Sequence, residues 1–147
     1  MYAAGFQLDS FEYLPEIAQC ALMRTLTDAL AGVNEAFLMN NGVPRLYMSG
    51  VRYAPPTGNG VGQNWRDIPR ILAQGKGATC MELAAWRIAE LKLKEGVRTT
   101  PLVTCKWLNG ARGLGLMFHV RIQDARGRVE DPSAELGMGE NEWFPFY

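Results

Sequence analysis

Three residues in this chain have the types that nucleophilic acyl chemistry needs, and they occur in the order Cys80, His119, Asp131. Cys80 follows the glycine-punctuated stretch Gly75-Lys76-Gly77-Ala78-Thr79 and opens the apolar, alanine-rich run Met81-Glu82-Leu83-Ala84-Ala85-Trp86. Thr79 with Glu82 three residues later is a capping-box pattern, which predicts a helix starting at Cys80. The first turn of a helix has unpaired N–H groups and the positive end of the macrodipole, so it favours an anion. A free thiol ionises near pH ~8.5, and such a position beside a cation lowers that by one to several units. His119 is the single histidine, so any Cys–His chemistry must use it. Together the three residue types supply a thiolate nucleophile, an imidazole that holds and returns a proton, and a carboxylate that orients the imidazole. Each alone has a commoner structural use: a cysteine as a small apolar residue, a strand histidine as a packed side chain, an Asp before Pro132 as a cap. Their joint order is what favours chemistry.

That chemistry depends on register. His119 and Asp131 flank a turn centred near Ala125-Arg126. A tight, even-numbered loop sends them to opposite faces of a hairpin, because side chains alternate along a strand. An odd-numbered loop, or a bulge with Gly127 in the left-handed region, brings them to one face; the latter register is expected. For the oxyanion, the backbone N–H of Cys80 is one donor by helix-start geometry. Gln74, six residues before Cys80, is a second candidate, and Gln63, Asn64 and Trp65 are alternatives from the preceding loop. Trp65 and Trp86 read as core or pocket wall. Arg52, Arg66 and Arg87 have the charge to recognise an acidic group, although single arginines are ordinarily solvated or ion-paired.

The elements that must position these residues follow from pattern. At 147 residues with 48% apolar and 20% charged residues, the chain reads as one domain, 1–147. The net charge is zero, giving no electrostatic case for nucleic acid or an anionic membrane. No apolar run approaches a membrane span, and the N-terminus lacks a secretory pattern, so a cytoplasmic location is expected. Three widely spaced cysteines without a C-x-x-C pair predict neither a disulfide framework nor a thiolate zinc site, and no metal or other cofactor is expected. Residues 1–12 read as an arm or short strand. Ile17, Ala21, Leu22, Leu26, Leu30, Val33 and Phe37 form a helical stripe that Gly32 interrupts with a kink or a break. Leu46–Tyr53 reads as a strand or extended segment, residues 54–64 as a Pro/Gly loop, and Ile68–Ala73 as a short helix capped by Asp67. The central helix should run from Cys80 to about Lys94 and stop at Gly96, with Arg87, Glu90, Lys92 and Lys94 off its apolar face. Strands at Pro101–Trp107 and Leu116–Gln123, joined by an Asn109-Gly110 turn, and a third begun at Arg128 and ended by Pro132, complete a meander. Helices followed by an antiparallel meander predict α+β, with N-terminal helices and the central helix packed on the sheet. The aromatic tail, 139–147, would close the core or dock on a partner.

The segments Leu46–Tyr53, Trp65-Arg66-Asp67-Ile68-Pro69, Gly77–Leu91, Phe118-His119-Val120, Glu130-Asp131-Pro132-Ser133 and Leu136-Gly137-Met138 follow one another in this order. Together they resemble a transglutaminase-like cysteine-protease family whose small members are common in tailed bacteriophages and prophages. The resemblance implies a transglutaminase-like, papain-like fold and assigns nucleophile, base and orienting acid to Cys80, His119 and Asp131. It implies a protease, deamidase or crosslinking enzyme that acts on a protein or peptide through a thioester. The family commonly carries Gly-Asp-Cys, whereas Ala78-Thr79 precede the cysteine here and Met81-Glu82 follow it. The acid before the nucleophile is absent while the triad is complete. The alternative implied by the same resemblance is a structural virion component at head, neck or tail, with vestigial chemistry and the aromatic tail contacting other virion proteins.

Overall fold

Helix α3 (Cys80–Glu95) is buried on nearly every side, from Met81 through Leu91 with only Arg87 partly open. Ala84, Ala85 and Ala89 let neighbours approach closely, and the long side chains Met81, Leu83, Trp86 and Ile88 fill the space between. Its start is fixed by Glu82, whose Oε1 accepts from the Thr79 backbone N–H at 3.0 Å and the Thr79 hydroxyl at 3.2 Å. Its end is fixed by Gly96, which takes the left-handed conformation at φ 64° and donates to Leu91 O. Lys92 and Lys94 in the last turn suit the negative end of the dipole.

The computed structural model describes residues 14–56, 65–110 and 113–139. Around α3 it places α1 (Glu16–Asn40), a 3-10 turn (Leu46–Met48), β1 (Arg52–Tyr53), α2 (Ile68–Ala73), β2 (Gly77–Ala78), β3 (Thr99–Gly110), β4 (Gly113–Asp124), β5 (Val129–Glu130) and α4 (Pro132–Glu135). The architecture is α+β, helices packed on a small sheet. Strands β3, β4 and β5 form an antiparallel sheet in that order, and β1 and β2 pair in parallel. One apolar cluster joins Met81, Ala84, Ala85 and Ile88 of α3 to Met23 and Ala31 of α1 and to Val103, Val120 and Ile122 of the sheet. A second joins Leu83, Trp86 and Ala89 to Leu46, Val51, Ile68, Ile71 and Leu136. The helix that begins with Cys80 is therefore held between two cores.

Several expectations need correction. Helix α1 runs unbroken through Gly32, which sits where an added Cβ would meet nothing within 4 Å. The cost of one glycine, about 1 kcal/mol, is outweighed by packing on α3 and β3. Its buried face is Gln19, Met23, Leu26, Thr27, Ala31, Asn34 and Leu38, while Ile17 and Val33 are exposed. Most of the polar atoms this buries find partners: Gln19 donates to Leu14 O, Thr27 donates to Met23 O, and Asn34 Oδ1 accepts from Ile68 N–H, while Asn34 Nδ2 has no partner among the described residues. Leu46–Tyr53 is not one strand. The Ser49 hydroxyl donates to Leu46 O at 2.6 Å and Gly50 turns at φ 80°, so only Arg52 and Tyr53 extend, pairing with Gly77 and Ala78.

Asn109 and Gly110 lie within β3, paired with Leu114 and Gly113, and are not the turn; residues 111–112 lie outside the described residues. Also outside them are the arm at 1–12, Gln63 and Asn64, and the aromatic residues from 140 onward. Finally, Cys20 on α1 and Cys105 on β3 form a disulfide across 85 residues. Helix packing on the hairpin brings the two together, a proximity that spacing in the sequence does not encode. Among the described residues, no helix is long and apolar enough to cross a membrane.

Candidate active site

Asp131 directly follows the short strand β5 and caps α4. Its Oδ1 accepts from the backbone N–H groups of Ser133 at 3.1 Å and Ala134 at 3.2 Å. Pro132 at the first helical position needs no donor and favours the turn. The other oxygen, Oδ2, lies 2.8 Å from His119 Nε2. The carboxylate is thus oriented on both sides before any substrate arrives.

The register that makes this pairing follows the turn. Gly127 N–H donates to Asp124 O at 3.0 Å and Asp124 N–H to Arg128 O at 3.0 Å. Gly127 itself sits at φ 80°. Ala125-Arg126-Gly127 is a three-residue loop with its glycine in the left-handed region, the odd-numbered arrangement expected. Pairing of Ile122 with Glu130 and Gln123 with Val129 sets Arg121 opposite Asp131. His119, two residues from Arg121 on the same strand, shares that face. Asp124 stabilises the turn by accepting from the N–H groups of Arg126 and Arg128.

His119 is 1% exposed. Burial alone lowers its pKa, but the hydrogen bond to Asp131, a second to Cys80, and the negative charges of both raise it, to about 9. With Nε2 committed to Asp131, Nδ1 is the nitrogen left for the thiol. Cys80 is a free cysteine, half-buried, and it packs against the cluster that contains Met81 and Val120, as Trp65 and Phe118 also do. A thiol at a helix start, a buried imidazole and a doubly anchored carboxylate are therefore in one contiguous arrangement. Its histidine can take the thiol proton and return it to a leaving group. The N–H of Cys80 lies in the helix's first turn, where no intrahelical acceptor exists, so it is available to a developing oxyanion.

No family model, curated protein or solved structure matches this chain. The site rests on its own geometry.

The other sequence candidates divide. Trp65 lies against the same apolar cluster as Cys80. Gln74 is exposed at the end of α2, with its Oε1 3.5 Å from Arg66 Nη1. Gln63 is outside the described residues. Arg66 and Arg87 are both ion-paired within the protein: Arg66 with Glu82, and Arg87 with Glu90 and Glu130. Arg66 meets the Glu82 carboxylate through its own N–H at 2.7 Å, Nε at 2.8 Å and Nη2 at 3.0 Å. This clamp fastens the Trp65 segment to the first turn of α3. The Thr79-x-x-Glu82 pattern marks Glu82 as a cap, but nothing local in the sequence marks its long-range partner. Among the described residues, no group of three or more His, Cys, Asp or Glu side chains is placed to hold a metal ion.

Proposed function

We propose that this chain is a thiol-dependent amide hydrolase or acyl transferase, of transglutaminase-like and papain-like architecture, that acts on protein or peptide carbonyls. The observation that carries this reading is the His119 ring, bonded through Nε2 to Asp131 at 2.8 Å, with Cys80 among the groups that hold its proton. The Cys80 thiolate attacks the carbonyl carbon, forming a C–S bond and pushing the carbonyl electrons onto oxygen, which the Cys80 N–H stabilises. Collapse breaks the C–N bond, and His119 gives its proton to the departing amine. Water or a second amine then attacks the thioester, loses a proton to His119 and releases Cys80 as thiolate. Asp131 keeps the imidazole in the orientation and tautomer that both half-reactions need.

An acyl trap tests the proposal. Incubation with p-nitrophenyl acetate should leave one acetyl group on Cys80, seen by intact mass and removed by neutral hydroxylamine, and Cys80→Ser and His119→Asn should lose it. Wild-type protein that stays unmodified while a cysteine peptide is acetylated overturns the reading. Ammonia released from a glutamine peptide, an amine incorporated into it, or a cut chain then distinguishes deamidation, transfer and proteolysis.

A further inference from the structure

The strand that delivers Asp131 is too short to fix it unaided. β5 makes only two residue pairs with β4, Ile122 with Glu130 and Gln123 with Val129, and Asp131 lies one residue past the end of that ladder. The ends of short ladders fray, because each terminal pair is held by few hydrogen bonds and open to water. Yet the carboxylate must stay within hydrogen-bond reach of His119 for the triad to work.

We infer that Arg87 is a positioning residue for the Cys80–His119–Asp131 site, acting through Glu130; this rests on the triad reading above. Arg87 lies on α3, two turns beyond Cys80 and on the same side of the helix. Its Nε meets Glu130 Oε2 at 2.6 Å and its Nη2 meets Oε1 at 3.3 Å, a two-pronged contact with the residue adjacent to Asp131. The third prong, Nη1, meets Glu90 Oε2 at 2.6 Å on its own helix. Tyr47 completes the cluster: its hydroxyl donates to Glu130 Oε2 at 2.7 Å, and its ring lies 4.7 Å beneath the guanidinium. Glu90, 2% exposed, also accepts from the Leu46 N–H at 2.7 Å, tying the 3-10 turn into the same cluster.

The result is one rigid strut. The helix that starts with the nucleophile reaches across and holds the strand that ends with the orienting acid, so the Cys80–Asp131 span is fixed from α3 itself. Planar, forked contacts of this kind resist sliding in a way a single point charge does not. Only 12% of the Arg87 side chain is exposed, although its partner Glu130 is 34% exposed, so the contact is sheltered from water chiefly on the helix side.

The test is the alkylation rate of Cys80 with iodoacetamide as a function of pH, read by intact mass, with melting temperature followed in parallel. Wild type should show a low-pH limb of fast reaction that represents the thiolate–imidazolium pair. In Arg87→Met that limb should fall roughly 10- to 100-fold, as expected for about 1 Å of misplacement in a catalytic array. Well above the ordinary thiol pKa of about 8.5 the rates should converge, because the thiol is then almost fully ionised in every variant. Arg87→Lys should recover part of the limb by restoring one charged contact. Tyr47→Phe, which removes one hydrogen bond and keeps the ring, should lower the limb less, and it decides the matter even where Arg87→Met fails to fold. A folded Arg87→Met whose profile superimposes on wild type, or a Tyr47→Phe profile that does so where Arg87→Met is unfolded, overturns this inference alone. A wild-type profile with no low-pH limb overturns the triad reading and this inference with it.

Discussion

Asp131 divides its two oxygens between structure and chemistry, and that division makes the two roles separable. Oδ1 caps α4 and Oδ2 holds His119. Asparagine caps helices about as well as aspartate, so Asp131→Asn should keep most of the stability while removing the charge that supports the imidazolium. The expected outcome is loss of Cys80 acylation by roughly 10²- to 10⁴-fold, with the helix cap kept and only the stability that the charged imidazolium contributes lost; Asp131→Ala should lose activity and about 1 kcal/mol of cap besides. Steady-state acylation and thermal melts on the two variants check this. His119 makes a second prediction. Its pKa is raised from 6.5 to about 9 in the folded protein, so its charged form stabilises the fold. That contribution is complete below the unfolded value and is lost as pH climbs through about 9, the sign expected for a raised base. The difference in unfolding free energy between wild type and His119→Gln should shrink across that window by at most about 3 kcal/mol, measured by urea titration at a series of pH values. These residues are legible in the sequence because the chain offers one histidine and a glycine-containing odd loop between it and Asp131. Nothing equivalent marks Gln74, whose spacing from Cys80 suggests an oxyanion donor and whose side-chain oxygen faces Arg66.

Among the elements, the approach to the nucleophile is under the most visible constraint. Gly75 and Lys76 both take positive φ, 88° and 64°, between α2 and β2. A lysine there carries a Cβ in the left-handed region, which costs about 1–2 kcal/mol relative to glycine. Two contacts hold that conformation: Arg52 N–H donates to Lys76 O at 2.9 Å and Lys76 N–H donates to Ile71 O at 3.4 Å. Lys76→Gly should therefore raise stability, by up to about 1 kcal/mol once the greater freedom of the unfolded glycine is subtracted. Chemical denaturation checks it, and a loss of stability would show that the Lys76 side chain contributes more than its strain. Helix boundaries are legible because their signals are local: Asp67 at α2, the Thr79–Glu82 pair at α3, Gly96 at its end. Strand identity is less so. Leu46–Met48 has strand composition, but the chain turns there because Glu90, buried 44 residues away, accepts its first N–H. Glu90 itself has the pattern of a surface residue for the same reason. Long-range acceptors of this kind leave no periodic trace.

For the molecule as a whole, what sequence spacing does not reveal is how distant segments are brought together, and the disulfide is the clearest case. Cys20 and Cys105 are 85 residues apart, and an odd number of cysteines without paired spacing gives no hint of a bridge. Their meeting depends on α1 crossing β3 beside the cluster of Met23, Ala31 and Val103. The bridge also bears on the site, because Cys105 pairs with Phe118 and its neighbour Thr104 pairs with His119. It therefore ties α1 to the hairpin that presents the histidine. Cross-linking so long a loop removes unfolded-state entropy worth up to about 4–5 kcal/mol in the chain-entropy account, with about 2–4 kcal/mol typical of measured bridges. For a chain of this length a loss of about 3 kcal/mol corresponds to roughly 10 °C in melting temperature. The Cys20→Ser, Cys105→Ser protein should melt lower by about that amount, and dithiothreitol should lower the wild type equally while leaving the double variant unmoved. Because Met81, Ala84 and Ala85 pack against the sheet independently of the bridge, the double variant should still fold at room temperature and still acylate Cys80. A reductant effect on the double variant as large as on wild type would show that the melting shift does not come from this bridge. Loss of acylation at a temperature where the variant remains folded would show that the staple sets His119 itself, not only the stability around it.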